Sequence, residues 1–123
     1  MILDHILLVM PPGKKDEARG FFVGILEMIE KEVPEPLASR GGCWFTKGNV
    51  IIHVGVEKDF VPQKKAHPAF IVDDLFEMER KLKENNYEVI WNEELPNRTR
   101  FYSTDSFGNR IEFLKDGDGF SQK

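Results

Sequence analysis

The sequence contains very little cysteine: Cys43 is the only one among 123 residues. A single thiol cannot form an intrachain disulfide, and it cannot build a zinc site from several thiolates. This composition is typical of a reducing compartment, so we expect a cytoplasmic protein. Because no basic residue lies beside it in the sequence, Cys43 is predicted to be a small buried residue rather than a nucleophile.

Long hydrophobic runs are also missing. The longest apolar stretch, Ile6 to Met10, is far shorter than the ~20 residues that a membrane-spanning helix needs. The chain opens with Met-Ile-Leu-Asp-His, which lacks the basic start and the extended apolar segment of a signal peptide. These absences predict a protein with no membrane partner and no cleaved leader.

An excess of positive charge is absent as well. The chain has 17 Lys and Arg against 21 Asp and Glu, which gives a net charge of -4. Nucleic-acid binding draws its affinity from a basic surface that displaces counterions from phosphates, so we expect no nucleic-acid partner. The 41% of hydrophobic residues is enough to build a core, which excludes a disordered chain.

Apolar runs and turn residues in the first half predict the order βαβββ. Pro11 and Pro12 end the first apolar run, and apolar positions from Ala18 to Leu26 then recur with the spacing of an amphipathic helix that ends near Gly24. The pair Gly48-Asn49 is typical of a tight hairpin turn. The predicted strands are Ile2 to Met10, Met28 to Val33, Cys43 to Lys47 and Val50 to Val56.

The second half repeats this order. Asp74, with Glu77 three residues later, resembles a capping box at the start of a helix, and Asn85-Asn86 suit its left-handed end. A turn that contains Gly108-Asn109 joins the last two strands. The predicted strands are Ala69 to Val72, Tyr87 to Trp91, Phe101 to Thr104 and Arg110 to Lys115.

The two halves form an internal repeat, because His5 and His67 precede similar segments and each half contains a Gly-Asn turn. A chain of this length is too short for two separate domains. We therefore predict a single α+β domain, residues 1–123, in which two βαβββ modules form one curved mixed sheet with the helices on its outer face. Module 1 covers about residues 1–57 and module 2 about 64–115, and 116–123 form a flexible tail.

The three histidines, at positions 5, 53 and 67, all fall on predicted strands or at a strand start. Imidazole on rigid sheet structure suits metal binding, although a single histidine on a strand is more often an ordinary half-buried residue. The repeat gives His5 and His67 equivalent places, which favours a shared site. Glu112 lies among apolar neighbours on the last strand, where it either points to water or points inward and binds a cation.

Three stretches carry a resemblance to a known superfamily: Leu3-Asp4-His5-Ile6, Ala66-His67-Pro68-Ala69-Phe70-Ile71-Val72-Asp73 and Asp105-Ser106-Phe107-Gly108-Asn109-Arg110-Ile111-Glu112-Phe113. Through them, almost the whole chain resembles the vicinal oxygen chelate superfamily. This superfamily includes glyoxalase I, fosfomycin resistance enzymes, methylmalonyl-CoA epimerase, extradiol dioxygenases and bleomycin resistance proteins. The last stretch lacks the proline of the family's Asp-Pro-Asp-Gly-Asn turn but keeps its Gly-Asn pair.

The resemblance implies that His5, His67 and Glu112 bind a divalent metal ion. Such a set suits Zn, Ni, Mn, Fe or Co, and the sequence does not choose among them. Some relatives take a fourth ligand from the last strand of the first module. Counting from the Gly-Asn turns points to Ile52 or, with one extra turn residue, to His53, so that His53 is a fourth ligand, a pocket group or an outward-facing residue.

Three further side chains are candidates for the substrate pocket: Trp44, Arg100 and Tyr102. Each has a more ordinary alternative, because Trp44 and Tyr102 could fill the core and Arg100 could be solvated or paired at the surface. Together with Arg98 and Arg110, Arg100 could also hold an anionic substrate.

The leading functional hypothesis is a metal-dependent, glyoxalase-like enzyme. The resemblance implies a small oxygenated substrate, bound to the ion through two neighbouring oxygens and changed by isomerase, lyase, thiol transferase or dioxygenase chemistry. The alternative is a metal-free small-molecule binding protein of the bleomycin-resistance type, whose members typically lack the His, His and Glu set. The resemblance also implies a homodimer.

Overall fold

The computed structural model describes residues 1–118. Residues 119–123 of the predicted flexible tail lie outside the described part, whereas Asp118 accepts a hydrogen bond of 2.6 Å from the backbone N–H of Thr99. No helix within residues 1–118 is both long and apolar enough to cross a membrane. The chain forms two compact units. The first unit is Met1–Pro62 with the turn Asp105–Asn109, and the second unit is Gln63–Thr104 with the chain from Arg110 on.

The first unit contains a four-stranded mixed sheet, one α-helix and a short 3-10 helix. Its elements are β1 (Ile6–Met10), α1 (Lys15–Phe22), β2 (Ile29–Lys31), the 3-10 helix (Leu37–Arg40), β3 (Cys43–Lys47) and β4 (Val50–Val56). The strand order is β1-β4-β3-β2, in which β1 runs parallel to β4 and the other neighbours are antiparallel. The crossover through α1 is what allows β1 and β4 to run parallel.

The core of the first unit lies between α1 and one face of this sheet. Phe21 and Phe22 of α1 are fully buried, and the ring of Phe22 stacks on that of Phe45 with centroids 5.1 Å apart. Cys43 is buried as a free thiol, and burial raises its pKa. Because side chains alternate along a strand, Trp44 and His53 point to the other face, away from α1.

The second unit repeats this architecture. Its elements are β5 (Ala69–Val72), α2 (Leu75–Glu84), β6 (Ile90–Asn92), β7 (Arg100–Thr104) and β8 (Arg110–Lys115). The strand order is β5-β8-β7-β6, with β5 parallel to β8. The side chain of Asp74 caps α2 by accepting a hydrogen bond of 3.0 Å from the N–H of Glu77.

The core of the second unit lies between α2 and the sheet. Leu75 and Leu82 of α2 are buried, and so are Phe101 and Phe113, whose ring centroids lie 5.5 Å apart. Alternation along β7 and β8 therefore turns Tyr102 and Glu112 to the face opposite α2. Packing of these aromatic side chains holds β7 and β8 in place, and the same strands carry polar side chains on the face opposite α2.

The α+β class and the order of elements in both βαβββ modules are confirmed. The ladders give two four-stranded sheets, one in each module, which refines the prediction of one curved mixed sheet. Three strands are shorter than predicted: β1 begins at Ile6, and β2 and β6 have only the residues given above. Ile2 and Leu3 are exposed, so their apolar character does not reflect burial in the sheet.

The turn Asp105–Asn109 is held by buried polar side chains of the first unit. Asp105 and Asn109 are each 1% exposed. The side-chain amide of Asn109 donates to the carbonyl oxygen of Val9 at 2.8 Å and to Oδ2 of Asp105 at 2.9 Å. Gly108 has φ of 88°, a conformation that glycine adopts without strain. In this Gly-Asn pair, Gly108 supplies the left-handed backbone conformation of the turn, and the side chain of Asn109 holds the turn in place by hydrogen bonds.

We expect Asn109→Ala to lower the free energy of unfolding by about 2 kcal/mol at pH 7, because the buried carboxylate of Asp105 and the part-buried carbonyl of Val9 lose their donor. Burial raises the pKa of Asp105, and the Asn109 hydrogen bond lowers it. The variant therefore raises this pKa further. A raised carboxyl pKa costs stability as the pH rises through it, so the loss should be smaller near pH 4 than at pH 7. Urea unfolding at the two pH values measures this.

The matched control is Ser106→Ala in the same turn. Ser106 donates an exposed hydrogen bond of 2.9 Å to the carbonyl oxygen of Glu17. Its loss should change the free energy of unfolding by less than about 0.5 kcal/mol at either pH. If Asn109→Ala lowers the free energy of unfolding equally at both pH values, the hydrogen bond from Asn109 does not stabilise the charged form of Asp105, and the prediction is wrong.

Candidate functional site

Polar side chains gather on the face of the second sheet that is turned away from α2. Ala69, Glu112, Tyr102 and Ile90 are paired across β5, β8, β7 and β6, so their side chains point to one face. His67 lies two residues before Ala69, ahead of the start of β5. This register brings His67 and Glu112 together across the parallel pair of strands.

His67 and Glu112 meet through atoms that commonly bind metals. Nε2 of His67 lies 3.0 Å from Oε1 of Glu112, and the two side chains are 21% and 8% exposed. Nδ1 of His67 lies 2.7 Å from the carbonyl oxygen of Lys65. A carbonyl oxygen can only accept a hydrogen bond, so Nδ1 carries a proton and donates it. Nε2 is then the ring nitrogen that faces Oε1 of Glu112.

Two acceptor atoms this close need a positive group between them. A neutral imidazole and a carboxylate would turn lone pairs toward each other across 3.0 Å, so a proton or a metal ion has to lie between Nε2 and Oε1. In octahedral coordination, where neighbouring ligands stand at right angles, two ligand atoms at roughly 2.0–2.2 Å from one ion would lie about 3 Å apart. A backbone-anchored Nδ1–H is also typical of metal-binding histidines. These two donor atoms are therefore of a kind and at a spacing that is compatible with a shared divalent ion.

Arg100 holds the second oxygen of Glu112. Its Nη1 donates to Oε2 of Glu112 at 3.2 Å and to the hydroxyl of Tyr102 at 3.1 Å, and its Nη2 donates to Oδ1 of Asn92 at 2.9 Å. Burial lowers the pKa of Arg100, but the hydrogen bond and the charge of Glu112, together with Tyr102, raise it by more. Arg100 therefore stays charged and leaves Oε1 as the oxygen of Glu112 that faces His67.

Tyr102 connects these groups to a second arginine. Its ring meets that of His67 edge to face, with centroids 5.3 Å apart. The guanidinium carbon of Arg110 lies 3.7 Å from the centroid of the same ring, a stacked cation–π arrangement. Tyr102 is therefore a wall of this cluster rather than a residue of the aromatic core.

The first unit carries a separate cluster of three rings. His53 is stacked between His5 and Trp44, with centroid distances of 4.0 Å on each side. Nδ1 of His5 lies 2.8 Å from Oδ2 of Asp4. Burial lowers the pKa of His53, and the nearby His5 lowers it further, although Asp4 acts in the opposite direction. The stack favours the neutral form of His53.

The strand registers decide which residue of β4 corresponds to Glu112. Glu112 pairs with Tyr102 and with Ala69, and Ala69 lies two residues after His67 in the sequence. In the first unit, His53 pairs with Trp44 and with Leu7, and Leu7 lies two residues after His5 in the sequence. His53, rather than Ile52, therefore occupies the place equivalent to Glu112. Counting from the turns misleads because Gly48-Asn49 is a turn of two residues, whereas residues 105–109 form a longer one.

The structure thus distributes the candidate residues over two clusters. His67, Glu112, Arg100 and Tyr102 come together in the second unit, and His5, His53 and Trp44 in the first. Within residues 1–118, no three His, Cys, Asp or Glu side chains form a group able to hold a metal ion. Sequence reasoning missed Asn92, because an asparagine at the end of a short strand gives no signal that it will bind an arginine on β7.

Comparisons with known proteins agree with this architecture. No protein-family model matches the chain, and no curated protein matches it. Among solved structures, a protein assigned to the glyoxalase family from Bacillus anthracis is 45% identical, with 94% of each chain covered and a TM-score of 0.88.

Two further structures share the fold at lower identity. A glyoxalase/dioxygenase from Nostoc punctiforme is 23% identical, with 95% of this chain and 92% of that chain covered and a TM-score of 0.76. A variant of the fosfomycin resistance protein FosX from Listeria monocytogenes, complexed with Mn(II) and 1S,2S-dihydroxypropylphosphonic acid, is 16% identical. In that comparison 94% of this chain and 93% of that chain are covered, with a TM-score of 0.78.

Two βαβββ modules, each with its first and last strands paired in parallel, together with these structural neighbours, place the chain in the class of vicinal oxygen chelate proteins. With 45% identity over 94% of its length to the Bacillus anthracis protein, the chain belongs to the glyoxalase family of this superfamily.

Proposed function

We propose that the protein is a metal-dependent, glyoxalase-like enzyme whose divalent ion is held by His67, Glu112 and His5. The observation that carries the proposal is the 3.0 Å approach of Nε2 of His67 to Oε1 of Glu112, with Nδ1–H committed to a backbone carbonyl. The Mn(II) complex of FosX supports the use of a divalent ion in this fold. His53, at the place equivalent to Glu112, is the proposed fourth ligand or pocket group.

The side chains of the second unit have distinct tasks in this proposal. A bound ion would stabilise the negative charge that develops on a substrate oxygen. The Lys65 carbonyl fixes the tautomer of His67, and Arg100 holds Glu112 so that one carboxylate oxygen remains for the ion. At 8% exposure, Glu112 is shielded from water, which strengthens its attraction for a cation. Tyr102 and Arg100 of the second unit and Trp44 of the first unit are the proposed substrate-binding residues.

The proposed substrate class follows from membership of the superfamily: a small molecule with two neighbouring oxygens, transformed by isomerase, lyase, thiol transferase or dioxygenase chemistry. We further propose a homodimer in the cytoplasm. Exposed apolar side chains on both sheets, among them Leu7, Ile71 and Ile90 at 60%, 61% and 54%, support a second copy as a partner, and the free thiol of Cys43 supports a reducing compartment.

Native mass spectrometry of protein purified without a histidine tag or chelator tests both the ion and the dimer. We expect two chains per particle and stoichiometric metal, as isolated or after incubation with Mn, Ni, Zn or Fe(II). The variants His67→Ala and His5→Ala should lose the ion, because each removes a ligand. The control Glu57→Ala, which removes an exposed carboxylate, should keep it.

The outcomes separate the two functional hypotheses. Metal in the native protein and its loss in both variants would justify a screen of 2-oxo thioesters, hemithioacetals, epoxides and catechols. A protein that takes up none of the four metals would contradict the enzyme proposal. Ligand binding by a metal-free protein of the bleomycin-resistance type would then be the function to test. Metal that survives His5→Ala but not His67→Ala would remove His5 from the ligand set.

A further inference from the structure

Arg110 is a half-buried arginine that has no acidic partner within residues 1–118. Its guanidinium stacks 3.7 Å from the centroid of Tyr102, and it forms no ion pair or side-chain hydrogen bond with any residue in the described range 1–118. Burial of a guanidinium is unfavourable unless an anion compensates its charge. Stacking fixes the plane of the group while leaving its N–H edges free, which is the geometry in which arginine recognises oxyanions.

The charges around Tyr102 do not balance. Glu112 is the carboxylate that pairs with Arg100, and no carboxylate of the described part of the chain pairs with Arg110. Two guanidinium groups therefore share one carboxylate, and a divalent ion at His67 and Glu112 would add two further positive charges. A half-buried face with this excess attracts anions, since water screens it less than it would an open surface.

Arg100 adds a second unsatisfied donor to the same cluster. Its Nε is buried and has no hydrogen-bond partner among the described residues. Its two other nitrogens are committed to Glu112, Tyr102 and Asn92. Buried donors in folded proteins are rarely left unpaired, so the positive charge of Arg100 is only partly compensated by the described residues around it.

We propose that Arg110, stacked on Tyr102, binds an oxyanion group of the substrate: a carboxylate, a phosphate or a phosphonate. The inference rests on the proposed function, because it adds an anionic group to the substrate that the ion would hold. The substrate then spans the cluster, with its neighbouring oxygens at the ion and its anionic end on Arg110. Neutral hemithioacetals, epoxides and catechols become poorer candidates than their acidic counterparts.

The test is a titration of metal-free protein, kept in a chelator at constant ionic strength, with acetate, inorganic phosphate and methylphosphonate. NMR signals of the Arg110 side-chain Nε–H and of the Tyr102 ring report binding at this place. We expect saturable shifts with the anions and none with acetamide, the neutral counterpart of acetate. Arg110→Ala should weaken binding about tenfold or more, and Arg110→Lys should weaken it less, because charge remains but the planar fork is lost.

Arg40→Ala, at an exposed arginine of the first unit, is the matched control and should bind the anions as the native protein does. Anion affinity unchanged by Arg110→Ala, or shifts of equal size with acetamide, would overturn the inference even if the protein binds metal. Anion binding that depends on Arg110 in a protein that takes up no metal would support the anion subsite and reject the enzyme proposal. The two failures are therefore distinguishable.

Discussion

Glu112→Gln is expected to lower the affinity for Mn(II) more than about 100-fold while the metal-free protein stays folded. Loss of a residue that only supports a ligand typically costs 10- to 100-fold in metal affinity, so loss of a direct ligand should cost more than roughly the upper value. The amide oxygen is a weaker ligand than a carboxylate. The variant also leaves the charge of Arg100 uncompensated beside the ion.

The stability of this variant is what makes the prediction specific. A glutamine can donate its amide N–H to Nε2 of His67 and accept from Arg100, so it reproduces both contacts of Glu112. Because the part-buried Arg100 still loses the charge of its partner, the free energy of unfolding without metal should fall by about 1–3 kcal/mol, which leaves the protein folded. Mn(II) titration followed by electron paramagnetic resonance gives the affinity, and urea unfolding in chelator gives the stability.

Glu93→Gln, an exposed position of the same unit, is the matched control and should change neither quantity. A Glu112→Gln protein that binds Mn(II) like the native one would show that the carboxylate is not a ligand. Its contacts with His67 and Arg100 would then serve the structure of the sheet alone.

Phe113→Ala should destabilise the protein by about 3–5 kcal/mol, because it leaves a cavity in the centre of the second unit. Phe113 is fully buried, and its ring lies 5.5 Å from that of Phe101 and 6.2 Å from that of Phe70. The loss is a large part of the 5–15 kcal/mol that stabilises a typical domain. Thermal unfolding followed by circular dichroism measures it.

Phe76→Ala removes the same number of atoms from an exposed position. Phe76 lies on α2, is 60% exposed and contacts Trp91 with ring centroids 5.6 Å apart. Its loss should cost about 1 kcal/mol or less. Similar losses for the two variants would mean that the aromatic cluster around Phe113 does not dominate the stability of the unit on which the candidate site is built.

In each unit, the two faces of the sheet carry different kinds of side chain. Apolar side chains on one face pack against the helix, whereas the opposite face carries the chemistry: His67, Glu112, Arg100 and Tyr102 in the second unit, and His5, His53 and Trp44 in the first. Neighbouring strands hold these side chains at fixed spacings, because each sits at a defined rung of a ladder. Such rigidity suits a site whose ligand atoms have to be held within fractions of an ångström.

The sequence by itself determined the secondary structure and the candidate residues. Some features depend only on periodicity or on hydrogen bonds within a few residues, so a single stretch of chain is enough to predict them. Examples are the strands Cys43–Lys47 and Arg110–Lys115 and the helix cap formed by Asp74. The Gly-Asn pair near the end predicted a turn for the same reason. The interpretation of β1 failed at Ile2 and Leu3 because hydrophobicity alone does not tell whether a residue is paired in a sheet.

Only the tertiary structure decided the neighbours of these residues. Strand alternation left two directions for Glu112, and packing of Phe113 against the core turned Glu112 to the opposite face, beside His67. The contacts of Arg100 with Glu112 and Asn92, and the equivalence of His53 with Glu112, depend on the register between strands that are distant in the chain. Register is fixed by the packing of whole sheets and by turn length, and neither is encoded in the spacing of the residues that meet.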